Sequence, residues 1–372
     1  MTATPTRAHA ARLLAVCAAV VLASVLLLDT QRVFSERPYT HKLFAACPAQ
    51  CPSDPFTRPG MLHWSPAGLA NETRWVPFPS AREAWDVAGG PNAYDLPKAD
   101  SVPSQAWDGA APQLAARLEQ GGEVGWLRGR TVLLIGSSHD RNNVQQLCDV
   151  LKGKYYSWGG HTGGYCHAAE HDLVLVNWFL YGMVDVEGRY PPGESPPNTF
   201  ERRFAEVLVP KMAETGLSHR SIDLVVATSL FWDDKFLSEA KTFGVDRAKA
   251  HGLLWHEAAW FRHRLRALFA AVRALYPHAP LMFRTRQLRE VHSNDAMLRI
   301  FQLDQAARAV AAQEGVALFT WGSKLEGYTV YYDHDQHFAL GPNTYVFGDM
   351  LFFYLHRAIT PGCWECHERT GD

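Results

Sequence analysis

The chain has no block or stripe of basic residues, the charge pattern that is typical of nucleic-acid-binding proteins. Its 36 Lys and Arg residues are nearly balanced by 38 Asp and Glu residues, and the formal net charge is −2. The 17 histidines are scattered and mostly lack the spacing of metal ligands. We therefore expect neither a nucleic-acid partner nor a metal site.

Long apolar runs are also scarce, because only residues 13–28 form one, with the sequence LLAVCAAVVLASVLLL. This run is shorter than the stretch of about 20 residues that usually spans a bilayer. No clear small-residue cleavage site follows it. We expect an uncleaved signal anchor that attaches the chain to a membrane, with a cleaved signal peptide as the alternative.

Six cysteines lie outside this run, and an even number behind a membrane-entry signal favours disulfides in an oxidising compartment. Cys148 and Cys166 flank the first predicted strand–helix unit, and we expect them to pair. The remaining four, which would tie the stem to the C-terminus, are Cys47, Cys51, Cys363 and Cys366. The sequon Asn71-Glu72-Thr73 adds to a prediction of a single-pass type II glycoprotein facing the Golgi or ER lumen, with secretion as the alternative.

Composition divides the chain into four regions. Residues 1–30 are predicted to be a cytosolic tail and signal anchor, and residues 31–125 a stem with an irregular subdomain rich in Pro and Trp. Residues 126–360 are predicted to be the catalytic domain, and residues 361–372 a cysteine-containing tail.

Short apolar runs alternate with helical patterns in the third region. The predicted strands are residues 131–136, 172–177, 222–230, 280–285 and 316–321. The predicted helices are residues 142–151, 200–215, 246–276, 295–314 and 343–359. This alternation predicts a three-layer α/β/α fold with a mostly parallel five-stranded sheet. In such sheets the site lies beyond the carboxyl ends of the strands.

The first strand, TVLLIG, leads into the segment GSSHDRNN. Gly136 permits a tight turn or a close backbone approach. Ser138 would lie near the start of the next helix, where free backbone N–H groups can stabilise an oxyanion. A serine nucleophile needs a base, and His337 follows the fifth strand in the segment YYDHDQHF. Asp333 or Asp335 could orient the imidazole.

These segments, in this order, resemble the blocks of the SGNH/GDSL-like esterases. GSSHDRN is similar to the GDS-x-x-R-N block of the PC-esterase branch, which includes plant trichome-birefringence-like proteins and related fungal O-acetyltransferases. DHDQHF resembles the Asp-x-x-His block of that branch, and residues 283–295 resemble its Arg-Thr strand end. The chain departs from the pattern at Ser137, where the family has Asp, and at His334, three residues before His337.

The resemblance implies acyl transfer by Ser138, His337 and an aspartate, with a glycan or other O-acylated substrate and no cofactor. The implied oxyanion donors are a Gly and an Asn. Gly159, Gly160, Gly163 and Gly164 are available for the first, and backbone N–H groups or the Ser229 hydroxyl could replace the second, because the third strand ends without an Asn. The full set of further substrate- or oxyanion-binding candidates is Gly136, His139, Arg141, Asn142, Gly160, Asn177, Ser229 and Arg284.

Three other interpretations remain open at this stage. Asp333-His334-Asp335 is an acidic triplet of the kind that binds Mn²⁺ and a sugar nucleotide in Golgi glycosyltransferases, and a short N-terminal anchor is usual for that class. The altered acidic position also allows a catalytically inactive glycan-binding protein of the same fold. Ser138 could instead serve only as the N-cap of the helix that follows it.

Overall fold

The computed structural model describes residues 47–65, 69–78, 110–183, 199–238, 251–287, 294–326, 332–333 and 337–366, together with residues 197 and 246. The predicted anchor at residues 13–28 lies outside these ranges. In the described ranges, no helix is long and apolar enough to cross a membrane. Residues 47–364 form one compact unit. Of a second unit, residues 1–46 and 365–372, only Glu365 and Cys366 are described.

The described elements alternate between strands and helices over most of the chain. The strands are β1 Gly60–His63, β2 Arg74–Pro77, β3 Thr131–Gly136, β4 Lys154–Ser157, β5 Gly163–Ala168, β6 Leu173–Phe179, β7 Leu224–Ala227, β8 Leu281–Arg284, β9 Ala317–Phe319, β10 Tyr332–Asp333 and β11 His337–Phe338. The helices are α1 Leu114–Glu119, α2 Ser138–Val150, α3 Phe200–Arg203, α4 Val209–Glu214, α5 Phe231–Leu237, α6 Trp255–Leu275, α7 Asn294–Glu314, α8 Trp321–Lys324 and α9 Pro342–Ile359.

The central sheet has seven strands in the order β4-β5-β6-β3-β7-β8-β9. Its five predicted strands, β6, β3, β7, β8 and β9, are mutually parallel. The predicted number of strands was wrong, because β4 and β5 extend the sheet beside β6 in antiparallel pairing. The sheet is therefore mixed and seven-stranded, and it is mostly parallel as predicted, because four of its six strand pairs are parallel.

The missed hairpin has a physical reason. Three of the four β4 residues are exposed, so this strand carries no apolar alternation that a sequence could display. The glycines in and next to the turn between β4 and β5 also make this segment resemble a loop in the sequence. Gly163 has φ 125°, and a Cβ there would lie 2.1 Å from the Asn177 carbonyl oxygen. Glycine is thus required for the close approach of β5 to β6.

Strand β3 lies in the middle of the sheet, and all of its residues are buried. Val132 and Leu134 contribute to a core that contains α2 and α9, whereas Leu133 and Ile135 contribute to a second core that contains α6 and α7. Apolar residues on both faces are what a strand covered by helices on two sides requires. The carboxyl end of β3 therefore opens at the edge where the other parallel strands also end.

Part of the chain before the central sheet packs into the hydrophobic core that contains α9. Phe56 is buried with its ring centroid 5.5 Å from that of Phe353. A disulfide joins Cys51 to Cys363, so the stem segment is covalently attached next to the end of α9. The predicted pair of Cys148 and Cys166 is confirmed, with a Cα–Cα distance of 5.6 Å. It ties α2 to β5.

Candidate active site

The turn between β3 and α2 is held by a capping box. The Ser137 hydroxyl accepts a hydrogen bond from the His139 backbone N–H at 3.3 Å, and Asp140 Oδ2 accepts one from the Ser137 N–H at 2.9 Å. Ser137 is thus the N-cap, and Ser138 is the first helical residue. The interpretation of Ser138 as a simple cap is wrong, because its neighbour satisfies that role.

Asp140 also forms a buried ion pair with Arg284 at the end of β8. Asp140 Oδ1 accepts from Arg284 Nε at 2.6 Å, and Oδ2 accepts from Nη2 at 2.9 Å. The two side chains are 2% and 5% exposed. The remaining Arg284 nitrogen donates to the Thr285 carbonyl at 3.3 Å. Every guanidinium nitrogen therefore has a partner, and Arg284 helps to hold the turn that carries Ser138.

The position of the Asp140 carboxylate explains why residue 136 is a glycine. A Cβ at Gly136 would lie 2.0 Å from Asp140 Oδ2 and 2.8 Å from the Thr228 side chain. The close approach expected at Gly136 is therefore made by an acidic side chain from the following helix. Asp140 was not among the predicted site residues, although its place three residues after Ser137 is the sequence mark of a capping box.

Ser138 and His337 are in direct contact. Ser138 Oγ and His337 Nε2 are 2.8 Å apart, although 199 positions separate the two residues in the chain. The serine is 9% exposed. This is the distance at which an imidazole can take a proton from a hydroxyl.

Gln146 on α2 braces the strand that carries the histidine. Its side-chain amide donates to the Phe338 carbonyl, and its Oε1 accepts from Thr344 Oγ1 at 3.0 Å. Phe338 in turn packs edge-on against Trp321, with the ring centroids 5.6 Å apart. The next residue after His337 is therefore fixed to the helix that begins with Ser138.

The backbone register brings one of the two candidate aspartates opposite His337. β10 runs antiparallel to β11, and Asp333 is the direct cross-strand partner of His337. Asp335 lies outside the described residues.

A small cleft opens beside Ser137 and His139. It is lined by Ser137, His139, Leu180, Gly182, Thr228, Ser229, Leu230, Phe231, Trp232, Arg284, Gln287 and Ile300. Ser137 and His139 are the chain neighbours of Ser138, so the cleft lies next to the nucleophile turn. The His139 ring is 4.8 Å from that of His337 and 5.4 Å from that of Phe231, measured between centroids.

Ser229 has a different arrangement from the one expected. Its hydroxyl donates to Asp233 Oδ2, and Asp233 Oδ1 accepts from the Met183 N–H at 2.7 Å. A hydroxyl carries one proton, and this one is directed at the carboxylate. The expectation that the Ser229 hydroxyl donates to an oxyanion is therefore not met in this arrangement.

Burial raises the pKa of the Asp233 carboxyl to about 6. Hydrogen bonds from Ser229 and Met183 oppose the rise, as does the charge of Arg264, whereas the nearby Asp234 adds to it. The carboxyl is therefore mainly ionised above about pH 6, where it can accept the Ser229 proton.

The remaining predicted residues are more peripheral. Asn177 is buried in β6 and donates to the Leu134 carbonyl at 3.4 Å. Arg141 lies 3.4 Å from the Asn142 side-chain oxygen and over the ring of Phe179. Gly160 is exposed in the turn between β4 and β5, with no atom within 4 Å of a built Cβ.

The backbone N–H of Ser138 is a candidate oxyanion donor. Ser138 is the first residue of α2, so its backbone N–H has no partner within the helix. In the described part of the chain, no acceptor receives this N–H. Free N–H groups and the helix dipole both favour negative charge at this position.

Metal ligation finds no support in the described ranges, where no group of three or more His, Cys, Asp or Glu residues could hold a metal ion. The acidic triplet Asp333-His334-Asp335 lies partly outside those ranges.

No protein-family model matches the chain, and no curated protein matches it in sequence. Similar solved structures include a lipase/acylhydrolase from Enterococcus faecalis, with 14% identity over 61% of this chain and 93% of that one, and a TM-score of 0.32. An acetylxylan esterase from Geobacillus stearothermophilus has 12% identity, coverage of 66% and 100%, and a TM-score of 0.36. A carbohydrate esterase family 2 enzyme from Corynascus thermopiles has 15% identity, coverage of 62% and 66%, and a TM-score of 0.36. Since these likenesses are so distant, the chemistry of the site is derived from its own residues alone.

We expect Asp140→Ala to lower the free energy of unfolding by about 3–5 kcal/mol, because it leaves the Arg284 guanidinium buried without its carboxylate. Asp149→Ala, at an exposed position of the same helix, is the matched control and should change stability by less than about 0.5 kcal/mol. Chemical denaturation measures both. Equal losses in the two variants would contradict the role given to the ion pair.

Proposed function

We propose that this protein is a serine acyl-ester hydrolase or O-acyltransferase that acts on ester-linked acyl groups of glycan hydroxyls. The observation that carries the proposal is the 2.8 Å contact between Ser138 Oγ and His337 Nε2. The contact lies at the start of α2, where a developing negative charge is favoured. It also lies at the edge where the parallel strands of the sheet end, the usual place for a site in this architecture.

The chemistry follows from the geometry. Ser138 Oγ attacks the carbonyl carbon of the ester while His337 Nε2 removes the hydroxyl proton. The Ser138 N–H stabilises the tetrahedral oxyanion, and His337 then protonates the departing alkoxide. Water or a sugar hydroxyl, deprotonated by the same imidazole, takes the acyl group from the serine. No cofactor takes part in any of these steps.

We assign Asp333 as the residue that orients His337. Its direct cross-strand position supports this choice over Asp335, which lies two residues before the histidine in the sequence. A carboxylate beside an imidazole selects the tautomer with a free Nε2 lone pair and stabilises the imidazolium that forms during reaction.

Aromatic side chains around the cleft support a glycan substrate. Trp232 and Phe231 are only partly buried, and the ring of His161 lies 6.2 Å from that of Trp232. Flat, partly exposed rings offer surfaces on which the apolar faces of sugars can pack. The proposal also includes a membrane-attached form in the Golgi or ER lumen, supported by the run at residues 13–28 and by disulfides such as Cys51–Cys363 and Cys148–Cys166, which suit an oxidising compartment.

A fluorophosphonate probe tests the nucleophile. We expect the probe to label the wild-type protein and to leave Ser138→Ala unlabelled, because the phosphorus reacts only with an activated serine. Ser137→Ala is the matched control in the same turn: it should lose about 1 kcal/mol of stability with its cap and still be labelled. Labelling that persists in Ser138→Ala, or an unlabelled wild-type protein, would overturn the proposal.

The variants Asp333→Asn and Asp335→Asn test which of the two aspartates orients His337. We expect Asp333→Asn to lower kcat for ester hydrolysis by about 10²–10⁴-fold, the usual contribution of assisted proton transfer. Asp335→Asn should leave kcat close to the wild-type value. Steady-state kinetics with a chromogenic acetate ester measures both, and the reverse order of effects would assign Asp335 instead.

A further inference from the structure

Ser229 lies beside the nucleophile turn. It follows β7, the strand next to β3, and the Thr228 N–H donates to the Ile135 carbonyl at 2.8 Å. The two strand ends are therefore level, and both Ser137 and Ser229 line the same cleft. A substrate whose ester carbonyl meets Ser138 would bring neighbouring groups to Ser229.

We propose that Ser229 and Asp233 form an acceptor subsite that selects esters carrying a free hydroxyl group next to the scissile bond. This inference rests on the proposed function and specifies the substrate of that same site. Its basis is the direction of one hydrogen bond. Because the Ser229 proton points to Asp233, the hydroxyl oxygen offers only lone pairs to anything bound in the cleft.

The carboxylate behind Ser229 is fixed in place. Asp233 is fully buried, and its other oxygen accepts from the Met183 N–H. Gly182 leaves the space that this carboxylate occupies, since a Cβ there would lie 2.8 Å from Asp233 Oδ1. The acceptor character of Ser229 is therefore built into the cleft wall and does not depend on a mobile side chain.

The charged residues near Asp233 form ion pairs that do not include it. Asp234 on the same helix is paired with Arg299 of α7 at 2.8 Å, and Arg264 of α6 is paired with Glu201 of α3 at 2.7 Å. In the cleft itself, Arg284 is engaged by Asp140. Each of these neighbouring cations thus has a carboxylate partner other than Asp233.

A hydroxyl donor on the substrate would complete a chain from its own oxygen through Ser229 to Asp233. Hydrogen bonds linked to an ionised group are stronger than neutral ones. An ester in which that hydroxyl is blocked would leave the Ser229 oxygen facing a group that cannot donate. Sites built to bind a substrate hydroxyl reject analogues that lack it. We expect a preference of about 10- to 100-fold in kcat/KM, the range for a hydrogen bond linked to a charge.

Asp233→Asn reverses the hydrogen bond without changing the shape of the side chain. The amide oxygen still accepts from the Met183 N–H, while the amide nitrogen donates to the Ser229 oxygen. The Ser229 proton must then point into the cleft, and the subsite becomes a donor. This variant therefore changes the direction of recognition, which a merely structural role would not do.

The experiment compares two esters with the full-length protein: the monoacetate of a vicinal diol, and the same acetate with the remaining hydroxyl O-methylated. The readout is the ratio of their kcat/KM values. We expect the wild-type protein to favour the free hydroxyl by about 10- to 100-fold. Ser229→Ala should bring the ratio towards one, and so should Asp233→Asn, because a Ser229 hydroxyl that donates can be accepted by the free hydroxyl and by the methyl ether alike. Ser218→Ala, at an exposed serine, is the control and should keep the wild-type ratio.

Failure of the proposed function and failure of the acceptor subsite would give different results. If the wild-type protein hydrolyses neither ester and the serine probe does not label it, the proposed function is wrong. If it hydrolyses both esters with a ratio near one, or if Ser229→Ala keeps the wild-type ratio, the acceptor subsite is wrong while the esterase assignment stands. A ratio in Asp233→Asn that equals the wild-type ratio would also overturn the subsite.

Discussion

The buried ion pair between Asp140 and Arg284 holds the site together, because it joins the nucleophile turn to the end of β8. A charge removed from water is tolerated only when its partner and its hydrogen bonds are in place. Here the carboxylate also accepts the Ser137 N–H, so one side chain sets both the turn and the first residue of α2. Ser138 takes its position at the helix start as a consequence, and Gly136 must be glycine to leave room.

A second constraint places His337 next to Ser138. His337 lies on a two-residue strand that Gln146, on the same helix as Ser138, binds through the carbonyl of Phe338. Ser138 and His337, the proposed nucleophile and base, therefore belong to elements fixed to one another by direct hydrogen bonds. Such rigidity limits the reorganisation that catalysis would otherwise require. The cleft next to them adds an oriented hydroxyl, Ser229, whose proton is taken by a buried carboxylate.

Much of this could be predicted from the sequence, because apolar runs mark buried parallel strands and the strand-end rule then locates Ser138 and His337. The hairpin of β4 and β5 could not, since exposed side chains and glycines conceal it. The role of Asp140 was also missed, because its partner Arg284 lies 144 positions away and no local pattern connects the two. The direction of the Ser229 hydrogen bond depends on tertiary packing alone.

The most direct test of the catalytic site is the covalent intermediate itself. The protein would be mixed with an activated acetate ester, quenched in acid within the first turnovers, digested and analysed by mass spectrometry. Our account predicts one acetyl group per chain, carried by the peptide that contains Ser138 and located on that serine. An acetyl group on another residue, or rapid ester turnover with no acylated serine, would contradict it.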